Sequence, residues 1–361
     1  MNIVIDKNMF LAPITKLANI TEKRSLMPIL SNLLIHFGTK ETKIYSTDLE
    51  ISAIGSLNYR FEEERKLILH GRRLQEILRE MDGGEIELEI GENSLTIKQK
   101  QSEFVLSLQD PEEFPEVKEI TGNREFTVGG KLLLEMINKT GFAVSVDETR
   151  YVLTGMYMRG FDGKLVVVGT DGFRMSLCQK EVEGLKEFKG IIVPKRSISE
   201  IERVVEDDDE VRIVIDDKHV QFSTGMVTLI SRTIEGNFPD YENVIPENNT
   251  NFVRVGKESF FKGLKKVSAI IGRSEPIKLC FSDNKMEIDA ESDVGRAKEI
   301  VDVAYEGDEM SMNFNVRFVL DVVSHIDGEE VIIKTPQAYG AVLFEGKDGS
   351  NHRNIIMPIR I

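Results

Sequence analysis

Along this chain the spacing of apolar positions switches between strand-like and helical in one order, and the order is played three times. Ile5–Ile14, Val128–Ile137 and Val255–Leu264 each run from a strand end into a helix, at offsets of 123 and 127 residues. A second helix opens in each pass within Leu69–Leu74, Val193–Ile198 and Phe314–Val319, each with an arginine in its first turn: Arg72, Arg196 and Arg317. Leu74, Ile77, Leu78 and Met81 carry the 3.6-residue spacing of an amphipathic helix. On this pattern helices are predicted over 7–20, 71–81, 131–139, 195–206, 257–269 and 315–325. The β-rich runs Leu165–Val168, Val211–Ile215 and Val331–Lys334 read as strands, and Asp162-Gly163, Asp216-Asp217 and Asp283-Asn284 as hairpin turns. Other markers keep the same step: Thr47-Asp48 recurs as Thr170-Asp171, and Phe114-Pro115 as Phe238-Pro239.

Copies of about 120 residues are domain-sized, so each should carry its own core rather than stack as a solenoid. Two helices per copy among many antiparallel strands predict an α+β domain. The boundaries expected are 1–124, 125–250 and 251–361.

Charge refines the picture. The whole chain carries −15, which alone argues against a nucleic-acid partner. The predicted helices, however, hold 15 Lys and Arg against 8 Asp and Glu, or +7, leaving −22 for everything else. A basic helical layer on an acidic body suggests contact with a phosphate backbone without base reading. The residues expected to face it are Arg24, Arg72, Arg73, Lys139, Lys195, Arg196, Lys262, Lys265, Lys266 and Arg317.

The motifs of catalysis are missing. The five histidines, His36, His70, His219, His325 and His352, have no His or Cys neighbour at metal-ligand spacing. There is no Gly-rich phosphate loop and no G-x-S-x-G elbow. Acidic runs such as Glu62–Glu64 and Asp207–Asp209 read as solvated turns. No cofactor and no metal is expected, and an enzyme holding a metal in those turns is the competing class. Cys178 and Cys280 read as buried thiols in a reducing compartment. The N-terminal residues lack a basic segment followed by an apolar stretch, and no apolar run approaches membrane-spanning length, so a cytoplasmic location and no membrane contact are expected. The Thr170-Asp171 pair reads as a turn, because copy one has the same pair. The Gly172-Phe173-Arg174-Met175 that follows is specific to copy two, so a copy-specific role is expected there.

Arg24–Leu34, Thr47–Glu50, Phe114-Pro115, Arg150–Gly155, Thr170–Met175, Val193-Pro194, Glu235–Tyr241, Phe314–Val316 and the final Met357–Ile361 run the whole length in one order. In these segments the chain resembles the bacterial sliding clamp family, the processivity subunits of the replicative DNA polymerase. The resemblance implies a head-to-tail homodimer whose six domains close a ring around double-stranded DNA, helices inside and sheets outside. It also implies a pocket for short peptides from the polymerase catalytic subunit, the clamp loader and repair proteins. By matching motif that pocket would be lined by Leu153, Thr170, Gly172, Phe173, Arg174, Met175, Pro239, Val244, Ile355, Met357, Pro358 and Arg360, flanked by Asn315 and Phe318. Two residues depart from some relatives: Phe173 stands in place of a histidine and Asn243 in place of an arginine. The chain end is expected as a last edge strand interrupted by Pro358, with Met357 and Pro358 forming a wall and Arg174 and Arg360 donating to the peptide. At a head-to-tail seam, Phe104 and Leu106 from the strand Phe104–Leu108 would meet Ile270, Ile271 and the run Arg296–Val301. A scaffold that binds peptides without enclosing DNA is a third reading.

Overall fold

The computed structural model describes residues 2–21, 27–122, 124–247, 249–272, 275–337, 339–347, 349 and 351–360. Copy one runs β1 (Asn2–Asp6), α1 (Lys7–Leu17), β2 (Asn32–Phe37), β3 (Thr42–Thr47), β4 (Ile51–Leu57), β5 (Arg65–His70), α2 (Gly71–Glu80), β6 (Glu85–Ile90), β7 (Ser94–Gln99) and β8 (Ser102–Ser107). Copy two repeats it: β9 (Arg124–Gly129), α3 (Gly130–Gly141), β10 (Gly155–Phe161), β11 (Lys164–Thr170), β12 (Arg174–Glu181), β13 (Phe188–Pro194), α4 (Lys195–Val204), β14 (Glu210–Ile215), β15 (His219–Ser223) and β16 (Val227–Arg232). Copy three is β17 (Asn251–Gly256), α5 (Lys257–Val267), β18 (Pro276–Ser282), β19 (Lys285–Ser292), β20 (Gly295–Tyr305), β21 (Met310–Asn315), α6 (Val316–His325), β22 (Glu330–Thr335), β23 (Val342–Gly346) and β24 (His352–Ile356). The predicted helices fall within three residues of these bounds.

Local chemistry sets the helix starts. Asp6 caps α1 by accepting from the Met9 amide at 2.9 Å, and Asn315 caps α6 by accepting from the Arg317 amide at 3.0 Å. At the start of α3, a side chain on Gly130 would meet the Glu206 carbonyl oxygen at 2.1 Å, so only glycine lets the backbone pass there.

The strands form three antiparallel sheets. Their orders are β1-β6-β7-β8, then β5-β2-β3-β4-β16-β15-β14-β9, then β13-β10-β11-β12-β24-β23-β22-β17-β20-β19-β18-β21. Two of the sheets therefore cross from one copy to the next, through β4·β16 and β12·β24. The compact units follow the sheets rather than the copies: residues 1–132 with 196–233 make one, and 133–195 with 234–361 the other. In the first unit α1 lies on β4, where Gly55 lets the Pro13 ring approach; a Cβ on Gly55 would stand 3.0 Å from it. In the second unit Phe260, Leu264 and Val267 of α5 and Val319, Val322 and Val323 of α6 close a core over β18, β19 and β22 with Leu279, Ile288 and Ile333. Burying such side chains contributes about 1.5–3 kcal/mol each.

The chain end differs from expectation. β24 lies inside the largest sheet, between β12 and β23, and is not an edge. Both faces of that position are covered, so His352, Asn354, Ile355 and Ile356 are all buried. The ladder runs one bond further, from the Met357 amide to the Phe173 carbonyl at 2.9 Å, and stops where Pro358 has no hydrogen to give.

Candidate functional site

The β11–β12 hairpin and the chain end build an apolar cleft within the second unit. Its lining is Leu153, Thr170, Gly172, Phe173, Arg174, Met175, Pro239, Tyr241, Val244, Ile355 and Met357, around about 100 Å³. An apolar cavity of about 150 Å³ holds a benzene ring, so this one accepts an aliphatic side chain. Leu153, Met175 and Ile355 form a buried floor, while Phe173, Val244 and Met357 stand exposed at the mouth.

The hairpin is held open by its own side chains. The Thr170 hydroxyl donates to the Arg174 carbonyl at 2.6 Å and accepts from the Gly172 amide at 3.1 Å. Asp171 Oδ1 accepts from the Phe173 and Arg174 amides, both at 3.0 Å. Gly172 sits at φ +84°, which favours glycine. Copy one makes the same turn: Asp48 Oδ1 accepts from the Glu50 and Ile51 amides, and Leu49 takes φ +78°. The turn reading of Thr-Asp therefore holds, and what copy two adds is the exposed Phe173, with the Arg150 guanidinium 4.8 Å over its ring.

Ten of the expected lining residues meet here. Four do not. Pro358 is buried and outside the cleft, its carbonyl accepting from the Tyr339 hydroxyl. Arg360 lies over the Tyr339 ring at 4.3 Å. Asn315 is spent capping α6. Phe318 lies under the Arg174 guanidinium at 4.4 Å. Tyr241 was missed, although it ends the quoted Glu235–Tyr241 segment. It is 6% exposed, and burial pushes its phenol up to about 12.

Arg174 needs a further correction. It was expected to donate to a bound peptide. Instead its Nε donates to Asp171 at 3.0 Å, Nη1 to Asp321 at 2.6 Å and Nη2 to the Phe142 carbonyl at 2.8 Å. The guanidinium ties the hairpin to α6 and to Phe142, the residue that follows α3, and the side chain is 7% exposed.

The basic residues expected to face DNA divide in the same way. Arg24 lies outside the described residues. Lys139 is buried, bonded to Glu135 at 2.6 Å and to Asp327. Burial alone would lower its pKa, but the two carboxylates raise it, so Lys139 is a fixed structural cation with no free face for phosphate. Arg72 is half-buried, its Nη2 donating to the Thr21 carbonyl at 3.4 Å. The others are on helix faces open to solvent. Lys262, Lys265 and Lys266 share the outer side of α5, and Arg73 that of α2. Arg196 pairs with the fully buried Asp48 carboxylate at 2.5 Å, and Arg317 lies 3.8 Å from Asp321. Burial, with Arg174 and Arg317 nearby, lowers the Lys195 pKa.

Among the described residues, each unit has an open strand edge at an expected seam position. β8 has only β7 beside it, and residues 295–302 of β20 have only β19. Val105 is 61% exposed and Ile300 54%. The expected seam residues Phe104, Leu106, Ile270 and Ile271 are all half-buried.

Among the described residues no group of His, Cys, Asp and Glu could hold a metal ion, and no helix is long and apolar enough to cross a membrane. Cys178 and Cys280 are free thiols; burial pushes Cys178 up to about 11.

Three repeated α+β domains, basic outer helix faces and a docking-sized cleft define a DNA-clamp architecture. Models of the N-terminal, central and C-terminal domains of the DNA polymerase III beta subunit match residues 1–118, 127–240 and 242–360. The beta sliding clamp of Pseudomonas aeruginosa is 29% identical over the full length of both chains. The solved DNA polymerase III subunit beta of Pseudomonas aeruginosa superposes with a TM-score of 0.96 at 29% identity, covering both chains completely. That of Thermotoga maritima gives 0.93 at 27%, covering 100% of this chain and 99% of that one. The sliding clamp of Bartonella birtlesii, solved bound to griselimycin, gives 0.95 at 27% with full coverage of both. The chain belongs to the family of DNA polymerase III beta subunits, the beta sliding clamps. It is a DNA sliding clamp for that polymerase, a processivity factor not catalytic in itself.

Proposed function

We propose that two copies of this chain join head to tail, each contributing domains 1–124, 125–250 and 251–361, and close around duplex DNA in the cytoplasm. The ring needs no base contacts. It needs a lining that attracts phosphates and still lets them pass, which Lys and Arg on outer helix faces supply. Arg73, Lys262, Lys265, Lys266 and Arg317 are the best placed; many keep a carboxylate neighbour, such as Glu76 for Arg73 and Glu299 for Lys266. Such pairs weaken the grip on any one phosphate.

The observation that carries the reading is the pair of open edges. Strands at the same place in the other copies, β4, β12, β16 and β24, are nearly buried along their length, whereas β8 is exposed or half-buried throughout. An unpaired edge of that kind invites strand pairing, and a closed homodimer removes it. Phe104, Leu106, Ile270 and Ile271 would form the apolar centre of the seam.

The cleft would take the apolar side chain of a short linear peptide from the polymerase catalytic subunit, the clamp loader or a repair protein. Met175 and Met357 are unbranched and adapt to different guests. The griselimycin complex of the Bartonella birtlesii relative is consistent with a ligand-binding surface in this family. Sedimentation tests the assembly. The native mass should be two chains at micromolar concentration and fall to one when Phe104 and Ile271 become Ser. A wild-type chain that stays monomeric at that concentration overturns the reading.

A further inference from the structure

The repeat fixes more than which edges are open. It fixes how they should align. At the first internal seam Ile54 of β4 stands opposite Thr228 of β16, and at the second Leu177 of β12 stands opposite Arg353 of β24. These are equivalent rungs. Counting outward along one side gives Ile54–Tyr45–Leu34 and Leu177–Val168–Tyr157. On the other side the rungs are Thr228–Ser223–Arg212 and Arg353–Glu345–Ile332. The hydrogen-bond phase agrees as well. Arg232 N donates to Glu50 O at 3.0 Å and Ser56 N to Met226 O at 2.9 Å. Met357 N donates to Phe173 O at 2.9 Å and Gln179 N to Asn351 O at 2.8 Å.

In copy three the residue at the place of Leu177 is Lys298, reached through Lys278 and Asp289. In copy one the residue at the place of Thr228 is Glu103, reached through Glu87 and Lys98. Both are exposed: Glu103 at 59% and Lys298 at 47% of the side chain. Resting on the homodimer proposed above, we infer that β20 pairs antiparallel with β8 of a second copy in the register that sets Lys298 opposite Glu103 of the partner subunit. That register also sets Ala297 opposite Phe104 of the partner subunit, and Glu299 opposite Ser102 of the partner subunit.

The charges support this alignment independently. Placed in that register, one row across the joined sheet reads Glu87, Lys98, Glu103, then Lys298, Asp289, Lys278, alternating in sign at every rung and through the seam. A slip of two residues one way would put Glu103 opposite the apolar Ile300 and break the row; a slip the other way, to Arg296 with Glu291 behind it, keeps opposite signs at the seam, and there the rungs of the two internal seams decide the register. The equivalent rows at the two internal seams carry no such alternation, so the row belongs to the junction that two separate chains must find in solution. Opposite charges directly across strands stabilise, and like charges destabilise.

The seam occurs twice in a head-to-tail dimer, so any change counts double. Glu103→Lys or Lys298→Glu should each weaken dimerisation about tenfold or more, measured as a sedimentation dissociation constant at low salt. The double variant Glu103→Lys with Lys298→Glu should return to near wild type. Ser102→Cys with Glu299→Cys should give an oxidised covalent dimer, because these positions fall on the closely spaced, non-hydrogen-bonded rungs. Ser102→Cys with Val301→Cys, two residues out of register, should not. A dimeric wild type whose double reversal stays weak, or which cross-links through the shifted pair, overturns the register and leaves the dimer standing. A monomeric wild type overturns both.

Discussion

Replacing Arg174 by Met separates a structural clamp on the cleft from a direct peptide contact. The wild-type guanidinium makes charge-assisted bonds to Asp171 and Asp321 and a third bond to the Phe142 carbonyl, between the rings of Phe318 and Phe142. Methionine keeps the aliphatic stem and removes all three. Breaking a fully buried pair this way costs about 3–5 kcal/mol, because the abandoned charges stay desolvated. The partners here are less buried, Asp171 at 17% and Asp321 at 30% of the side chain, and Asp171 keeps two backbone donors. The expected loss is therefore about 2–3 kcal/mol. The chain has no Trp, so urea unfolding is best followed by far-UV circular dichroism, with hydrogen exchange reporting on β12 and α6. Adding Asp321→Leu should recover part of the loss by removing the stranded carboxylate. An unfolding free energy within about 0.5 kcal/mol of wild type, together with lost peptide binding, would refute the structural role and restore Arg174 as a peptide donor.

Three further outcomes follow. Deleting Met357–Ile361 removes one wall of the cleft and the bond to Phe173; a labelled Gln-x-x-Leu-Phe-type peptide, expected to bind at about micromolar affinity, should lose binding while sedimentation still reports a dimer. Lys262, Lys265, Lys266 and Arg317 changed to Glu should weaken DNA contact with little change in stability, whereas Lys139→Met should lower stability and leave the salt dependence of DNA contact unchanged. His352 is held by burial, then by the Lys139 cation, at about 4 instead of the ordinary 6.5. Its neutral form is the one that folds, so its contribution is complete above pH 6.5 and is lost as pH falls toward 4, by about 3 kcal/mol. His352→Gln should flatten that part of the stability profile relative to wild type.

The repeat was legible because its markers are local: a cap, a helix stripe and an acidic turn each need only a few neighbouring residues. Most of the cleft was legible through the resemblance and the departure of Gly172–Met175 from copy one. What escaped depended on distant partners. Nothing near Arg174 announces Asp321, 147 residues on, and nothing on the α3 stripe announces that Asp327 will meet Lys139. The place of β24 escaped for a related reason. An apolar strand reads alike at an edge or in the middle, and only pairing with β12 and β23 decides it. The apolar chain end suggested an edge strand interrupted by Pro358, but Pro358 sits just past β24, where the ladder has already ended.

The account's central claim is topological, so the most direct measurement is retention on DNA of two shapes. The full chain is assembled on nicked circular DNA with its own clamp loader and ATP, then passed through a sizing column at high salt. The account predicts that it stays with the circle and is lost when a single cut linearises the same DNA, because a closed ring slides off an end whatever the salt. Equal retention on circular and linear DNA, or loss from both as salt rises, would contradict it.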